Sequence, residues 1–207
     1  MESQQELIIS TASNLFVQFG IRSVSIDNVC NELRMSKKTF YTYFAQKEEL
    51  VEAVVVYQRK QRNDRFEKLF KNKNAIDSLI LSIKELRKVM DQESAVMCND
   101  LEKYYPRVNE KYEQISREEI RAGFESFLNQ GIAEGYFRDD LDIEMIALFH
   151  SVQLKYMINQ MAQFPQKYSR KRIYDFFIDL MIHLIANEKG LQYLAENYNK
   201  VEPPNAV

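Results

Sequence analysis

The apolar residues of this chain recur on one repeating pattern. Steps of three and four separate Ile8, Ala12, Leu15, Phe16 and Phe19, the spacing that lines one face of an α-helix, and Gly20 follows where a helix C-cap stands. Ser25 can cap a second, short helix whose stripe is Ile26, Val29, Cys30 and Leu33. Arg34 and Met35 make a tight turn, and Ser36 stands as the N-cap of a third helix from Lys37 to about Phe44. Gln46 and Lys47 open a longer helix reaching about Phe70, with Glu48 and Glu49 in the first turn, where acids complement the positive helix end.

The same period continues beyond a loop over Lys71 to Asn74. It predicts a helix through Ile76, Leu79, Ile80, Ile83, Leu86 and Met90, and another from about Ser94 carrying Val96, Met97 and Leu101. Pro106 resets the chain, and a long helix follows from Arg107 to Glu134, ending around Gly135. Tyr136 to Leu141 is a loop. Asp142 caps a helix reaching Phe164 before Pro165, and a last long helix is predicted over 169–188, ahead of Gly190. No run reads as a strand, so the fold class is all-α.

Composition agrees with that class: 207 residues contain only five glycines and four prolines. A net charge of -2 excludes a globally basic nucleic-acid binder, so any DNA binding must be local. Cys30 and Cys98 have no paired spacing, which argues against a disulfide framework or zinc site and suits a reducing cytoplasm. Met1 to Glu6 is polar and acidic rather than a secretory signal, and no apolar run approaches a bilayer-spanning length; a soluble, cytoplasmic protein with no membrane partner is expected.

Ser25 to Leu50 is the informative segment. A short helix, a turn and a second short helix with a capped polar start has the form of a helix-turn-helix, in which the first residues of the second helix reach base edges in the major groove. Here that end reads Ser36, Lys37, Lys38, Thr39, with Thr42 a turn further on and Tyr41 and Tyr43 beside it. Between positions 21 and 47 stand Arg22, Arg34, Lys37, Lys38 and Lys47 against Asp27 and Glu32, so the segment is positive within an acidic chain. Phe40 and Phe44, four apart, are expected to pack inward.

Leu15-Phe16 and Gly20, Ser25 and Val29, the run Ser36 to Phe44, and Lys47-Glu48-Glu49-Leu50, in this order and spacing, resemble the N-terminal region of the TetR family of bacterial regulators. The resemblance implies a homodimer on a near-palindromic double-stranded DNA operator, usually a repressor released by a small molecule. It implies that Lys37, Lys38, Thr39 and Thr42 lie nearest the bases or flanking phosphates, with Ser36 at the helix start. Tyr41, Tyr43 and Lys47 would hold the DNA backbone, and Ser25 a phosphate. Two positions depart from the family pattern, since Arg34 and Lys38 replace frequent glycines. Arg34 would carry a modest cost if its backbone is left-handed, and its charge can offset that near DNA.

The resulting organisation is a DNA-binding domain over 1–46, a ligand-binding and dimerisation domain over 47–200, and a flexible tail over 201–207. In TetR-like proteins the last two long helices pair with their copies, which makes Phe149, Tyr156, Phe176, Phe177, Leu180, Met181 and Leu184 dimer candidates. These are more than one face per helix needs, and which of them line a pocket instead stays open. Middle helices hold the family's ligands, so Met90, Met97, Tyr104 and Tyr105, with Phe124, Phe127, His150 and Met157, are the candidate lining. Mostly apolar walls suit a hydrophobic or aromatic effector.

Rival readings lack motifs. Neither His150 nor His183 has a glutamate three residues before it, as helical di-iron sites require. Asp139, Asp140 and Asp142 fit a helix N-terminus, and neither a glycine-rich phosphate loop nor a nucleophile elbow is present. No catalytic residue, metal site or cofactor is expected. A helical adaptor using the same head for protein contact is the remaining alternative.

Overall fold

The computed structural model describes residues 3–91, 95–159 and 169–201, with the side chains of 89–91, 95, 155–159 and 170 left out. The described residues form α1 (Gln4–Phe19), α2 (Ile26–Glu32), α3 (Lys37–Phe40), α4 (Lys47–Phe70) and α5 (Ala75–Asp91). There follow α6 (Ala95–Tyr104), α7 (Pro106–Ala133), α8 (Ile143–Asn159), α9 (Arg170–Ile185) and α10 (Glu188–Asn197). They divide into two compact units, Met1–Phe66 with Glu93–Gln114, and Glu67–Gln92 with Ile115–Val207.

Burial of the predicted stripes builds the first unit. Ile8, Ala12 and Phe16 of α1 pack with Val29 and Cys30 of α2, Phe40 and Phe44, and Leu50, Val51 and Val54 of α4. Phe19, which shares the period, stays half in solvent. The unit reaches beyond residues 1–46 because the first part of α4 and Met97 of α6 complete its core. Ser3 starts α1 earlier than the apolar stripe does: its hydroxyl accepts from the N–H of Glu6 over 3.2 Å, and Glu6 accepts from the N–H of Ser3 over 2.8 Å.

The second unit centres on Ile76, Ile80 and Ile83 of α5, Leu128 of α7, Phe137, and Tyr174, Phe177, Met181 and Ile185 of α9. Asp142 does cap α8, accepting from the N–H of Met145 over 3.2 Å. The last predicted helix is corrected: it ends at Ile185, and a further helix, α10, follows. At the break, Ala186 bridges Phe137 in antiparallel fashion, and the Asn187 side chain accepts from the N–H of Gly190 over 3.0 Å to cap α10. Gly190 is therefore inside a helix rather than beyond one. It is glycine because a Cβ there would collide with the carbonyl oxygen of Tyr136.

Candidate nucleic-acid interface

Two capped helices and a strained turn set the reading face. The Ser25 hydroxyl accepts from the N–H of Asn28, and the Asn28 side chain accepts from the N–H of Ser25 over 2.7 Å, fixing the start of α2. Ser36 accepts from the N–H of Thr39 over 3.1 Å and fixes the start of α3. Between them Arg34 adopts φ 51°, the left-handed conformation, and the N–H of Met35 donates to Cys30 O over 2.9 Å. A non-glycine residue is disfavoured there by contact of Cβ with the backbone. α3 is shorter than the predicted span to Phe44, being regular only through Phe40. Tighter turns carry the chain onward: the N–H of Thr42 reaches Thr39 O, and that of Tyr43 reaches Phe40 O. Phe40 and Phe44 are buried as expected, which points the intervening Tyr41, Thr42 and Tyr43 outward.

Charge on this face is unevenly available. Lys37 pairs with Asp27 over 2.8 Å, so one cation at the start of α3 already has an acid beside it. Arg34 and Lys38 are exposed, and among the described residues neither side chain has a hydrogen-bond or ion-pair partner. The Ser36, Thr39 and Thr42 hydroxyls make local bonds: Ser36 Oγ lies 2.8 Å from Thr39 Oγ1, and Thr42 donates to Thr39 O over 2.6 Å. Lys47 is half-buried and donates to Ile21 O over 2.6 Å, and burial pulls its ammonium below the usual range. Two of its hydrogens remain for a phosphate.

α6 fastens the link between α1 and α2. The N–H of Arg22 donates to Asp100, and the Arg22 guanidinium donates to the Tyr104 hydroxyl over 2.6 Å while lying 5.1 Å from the centre of its ring. Gly20, at φ 82°, lets α6 approach, since a Cβ would sit 2.7 Å from both Asp100 and Val96.

Residues 8–54 match the model of a family described as bacterial regulatory proteins, tetR family. Over this N-terminal segment the chain is similar to TetR-family transcriptional regulators. One relative, the uncharacterized HTH-type transcriptional regulator YuxN of Bacillus subtilis (strain 168), is 40% identical over 57 residues, which cover 28% of this chain and 20% of that protein. Another, the HTH-type transcriptional repressor KstR2 of Mycobacterium tuberculosis, is 21% identical over 155 residues, 72% of this chain and 76% of the relative. The solved structure of a transcriptional regulator from Cytophaga hutchinsonii ATCC 33406 shares the fold with a TM-score of 0.65 at 20% identity, over 92% of this chain and 96% of that one. The stronger sequence match thus lies in the reading head, while the likeness of the remainder is one of fold.

The candidate pocket residues fall into separate units. Met97 is 5% exposed in the core of the first unit, Tyr105 packs against that core, and Tyr104 is occupied by Arg22. Phe124, Phe127 and His150 come together in the second unit: the His150 ring stacks on Phe124 with centres 3.8 Å apart, and Phe127 lies 5.4 Å from Phe124. The side chains of Met90, Tyr156 and Met157 lie outside the described residues.

The dimer candidates also separate. Phe177 and Met181 point into the core of the second unit, whereas Phe149, Phe176, Leu180 and Leu184 are exposed. Residues 173, 177, 181 and 185 follow one row of α9, and 176, 180 and 184 the adjacent row, one residue and a fraction of a turn away. Sequence spacing passed over Met145, Leu148 and Val152, which with Phe149 form an exposed apolar stripe on α8. Only burial distinguishes such a stripe from core.

Proposed function

We propose that the regulator is a homodimeric repressor that grips a near-palindromic operator through two copies of the α2–α3 face and lets go when a small hydrophobic or aromatic effector binds. DNA reading is assigned to residues 1–46, effector binding and dimerisation to 47–200. The observation that carries the reading is a capped α3 whose exposed side carries Lys37, Lys38, Thr39, Tyr41, Thr42 and Tyr43, with Phe40 and Phe44 anchoring its other side. Arg34, Ser25, Ser36 and Lys47 flank it as phosphate contacts. The exposed stripes on α8 and α9 support a twofold dimer, because apolar rows this long are normally covered. Two reading heads would need a separation of about 34–36 Å to enter successive major grooves. The effector acts only through its differential affinity for dimers with and without that spacing.

Among the described residues no helix is long and apolar enough to cross a membrane, which supports action in the cytoplasm, where the operator lies. Selection of bound duplexes from a random DNA pool tests the proposal. Recovery of an inverted repeat, with affinity falling steeply as salt rises, is expected. Retention of no preferred duplex, with salt-insensitive binding, would favour the adaptor instead.

A further inference from the structure

Among the described residues, three side-chain polar atoms of the second unit are buried without a hydrogen-bond partner: Oδ1 of Asp77, Nδ1 of His150 and the hydroxyl of Tyr174. Buried polar atoms are ordinarily paired, so such exceptions require an account, and Asp77 has its other oxygen bonded by Asn74, which leaves His150 and Tyr174. They belong together, because the His150 ring stacks near Phe177, with centres 6.0 Å apart, and Tyr174 lies one turn before Phe177 on α9. Arg87, whose charge reaches Tyr174, does not repair the deficit. Its guanidinium is taken by Asp175, at 2.6 and 3.1 Å, and by the Tyr198 hydroxyl at 2.7 Å.

We propose that His150 is the polar handle of the effector site, and that the site takes a neutral aromatic molecule whose hydroxyl group bonds to Nδ1 of His150. This rests on the effector-responsive reading above and names the ligand class. Ring geometry supplies the aromatic part. The His150 plane is within 10° of Phe124 at 3.8 Å and within 21° of Phe177 at 6.0 Å, so a flat ligand ring that takes the place of Phe124 against His150 keeps a stacked aromatic contact. Phe124 is the ring to displace. It is half-buried, as is its neighbour Phe127, whereas Phe177 and Tyr174 are buried.

The hydroxyl follows from the state of the imidazole. Burial pushes His150 down to about 4, so the ring is neutral at physiological pH, and Nδ1 is a donor in one tautomer and an acceptor in the other. A hydroxyl complements either. A carboxylate or ammonium would lose its hydration among phenylalanine rings, and the described ion pair of this region, Arg87 with Asp175, is already neutralised within itself.

Calorimetric titration of the full chain with 2-naphthol, naphthalene and 2-naphthoate tests this. The expected result is that 2-naphthol binds about tenfold or more tightly than naphthalene, and that 2-naphthoate does no better than naphthalene. His150→Phe should erase the preference for the naphthol while leaving naphthalene binding in place. The comparison of ligands on the unaltered chain stands even if that variant does not fold. Equal binding of the naphthol and naphthalene, no binding of either, or a preference that survives in His150→Phe would overturn the proposal. Because the titration contains no DNA, its failure is separable from that of the regulator reading: a chain that selects an inverted repeat but ignores these ligands loses only the site proposed here.

Discussion

The backbone N–H of Arg22 donates to Oδ2 of Asp100 across 78 positions of sequence, over 2.8 Å, so a carboxylate of α6 closes the link that joins α1 to α2. Asp100→Ala leaves that N–H to water and loosens the start of the reading head. A destabilisation of about 1 kcal/mol is expected in urea unfolding, with faster hydrogen exchange at Arg22. Asp100→Asn, whose amide oxygen still accepts, should recover most of the loss.

Arg34 holds a left-handed backbone without being glycine. Arg34→Gly should therefore stabilise the first unit, by about 1 kcal/mol, while weakening DNA binding through loss of an exposed cation. Opposite movement of the two readouts, thermal stability up and affinity down, is the expected signature. A fall in both would mean that Arg34 is structural.

Helix positions were legible wherever an apolar stripe coincided with a cap. Ser25, Ser36 and Asp142 all start helices as their sequence neighbourhoods predict. The break after Ile185 was not legible, because its cause is non-local: Phe137 bridges Ala186, and the Asn187 side chain donates to Gly135 O and Phe137 O. Only contacts 50 and 52 residues away distinguish Asn187 from an ordinary mid-helix polar residue. The candidate site shows the same division. The reading face follows from a local motif, but the occupation of Lys37 by Asp27, of Lys47 by Ile21 O and of Tyr104 by Arg22 depends on tertiary placement. Assigning Met97 to a pocket failed to anticipate its burial in the first core, since a methionine at helical spacing reads alike in both settings.

The Lys37–Asp27 pair makes neighbouring lysines unequal. Both partners are more than half exposed, so the pair adds little stability, yet Asp27 competes with phosphate for Lys37. Lys38→Ala should lower DNA affinity more than Lys37→Ala does, and Asp27→Asn should raise it. Binding measured across a salt series checks this: each lost phosphate contact flattens the logarithmic salt slope by about 1. Equal effects at Lys37 and Lys38 would place both in the same contact.

His150 makes stability depend on pH in one direction. Its folded value, about 4, lies below the ordinary 6.5, so the unfolded chain takes up a proton before the folded one does. The neutral ring costs nothing extra above pH 6.5. As pH falls from 6.5 towards 4 the unfolded state gains, by about 3 kcal/mol at the lower end. Urea unfolding of the parent and His150→Phe at pH 7.5 and 4.5 isolates this contribution: the stability gap between them should shift in favour of the variant on acidification. A gap constant with pH would show that the imidazole is as readily protonated in the folded chain as outside it.

The exposed rows on α8 and α9 allow assembly to be separated from folding. Phe176 is 70% exposed and Phe177, beside it, only 7%. Phe176→Glu removes no core contact, so the second unit should keep its fold, but a charge inside an apolar interface should leave the protein monomeric in sedimentation at micromolar concentration. Operator affinity should then fall by about a hundredfold or more, because the second half-site is no longer engaged at high effective concentration. Phe177→Ala should instead destabilise the unit by about 3–5 kcal/mol, lowering operator binding only in proportion to the protein unfolded. A Phe176→Glu protein that remains a dimer would place the twofold contact elsewhere, and one that unfolds would mean that its ring serves the fold.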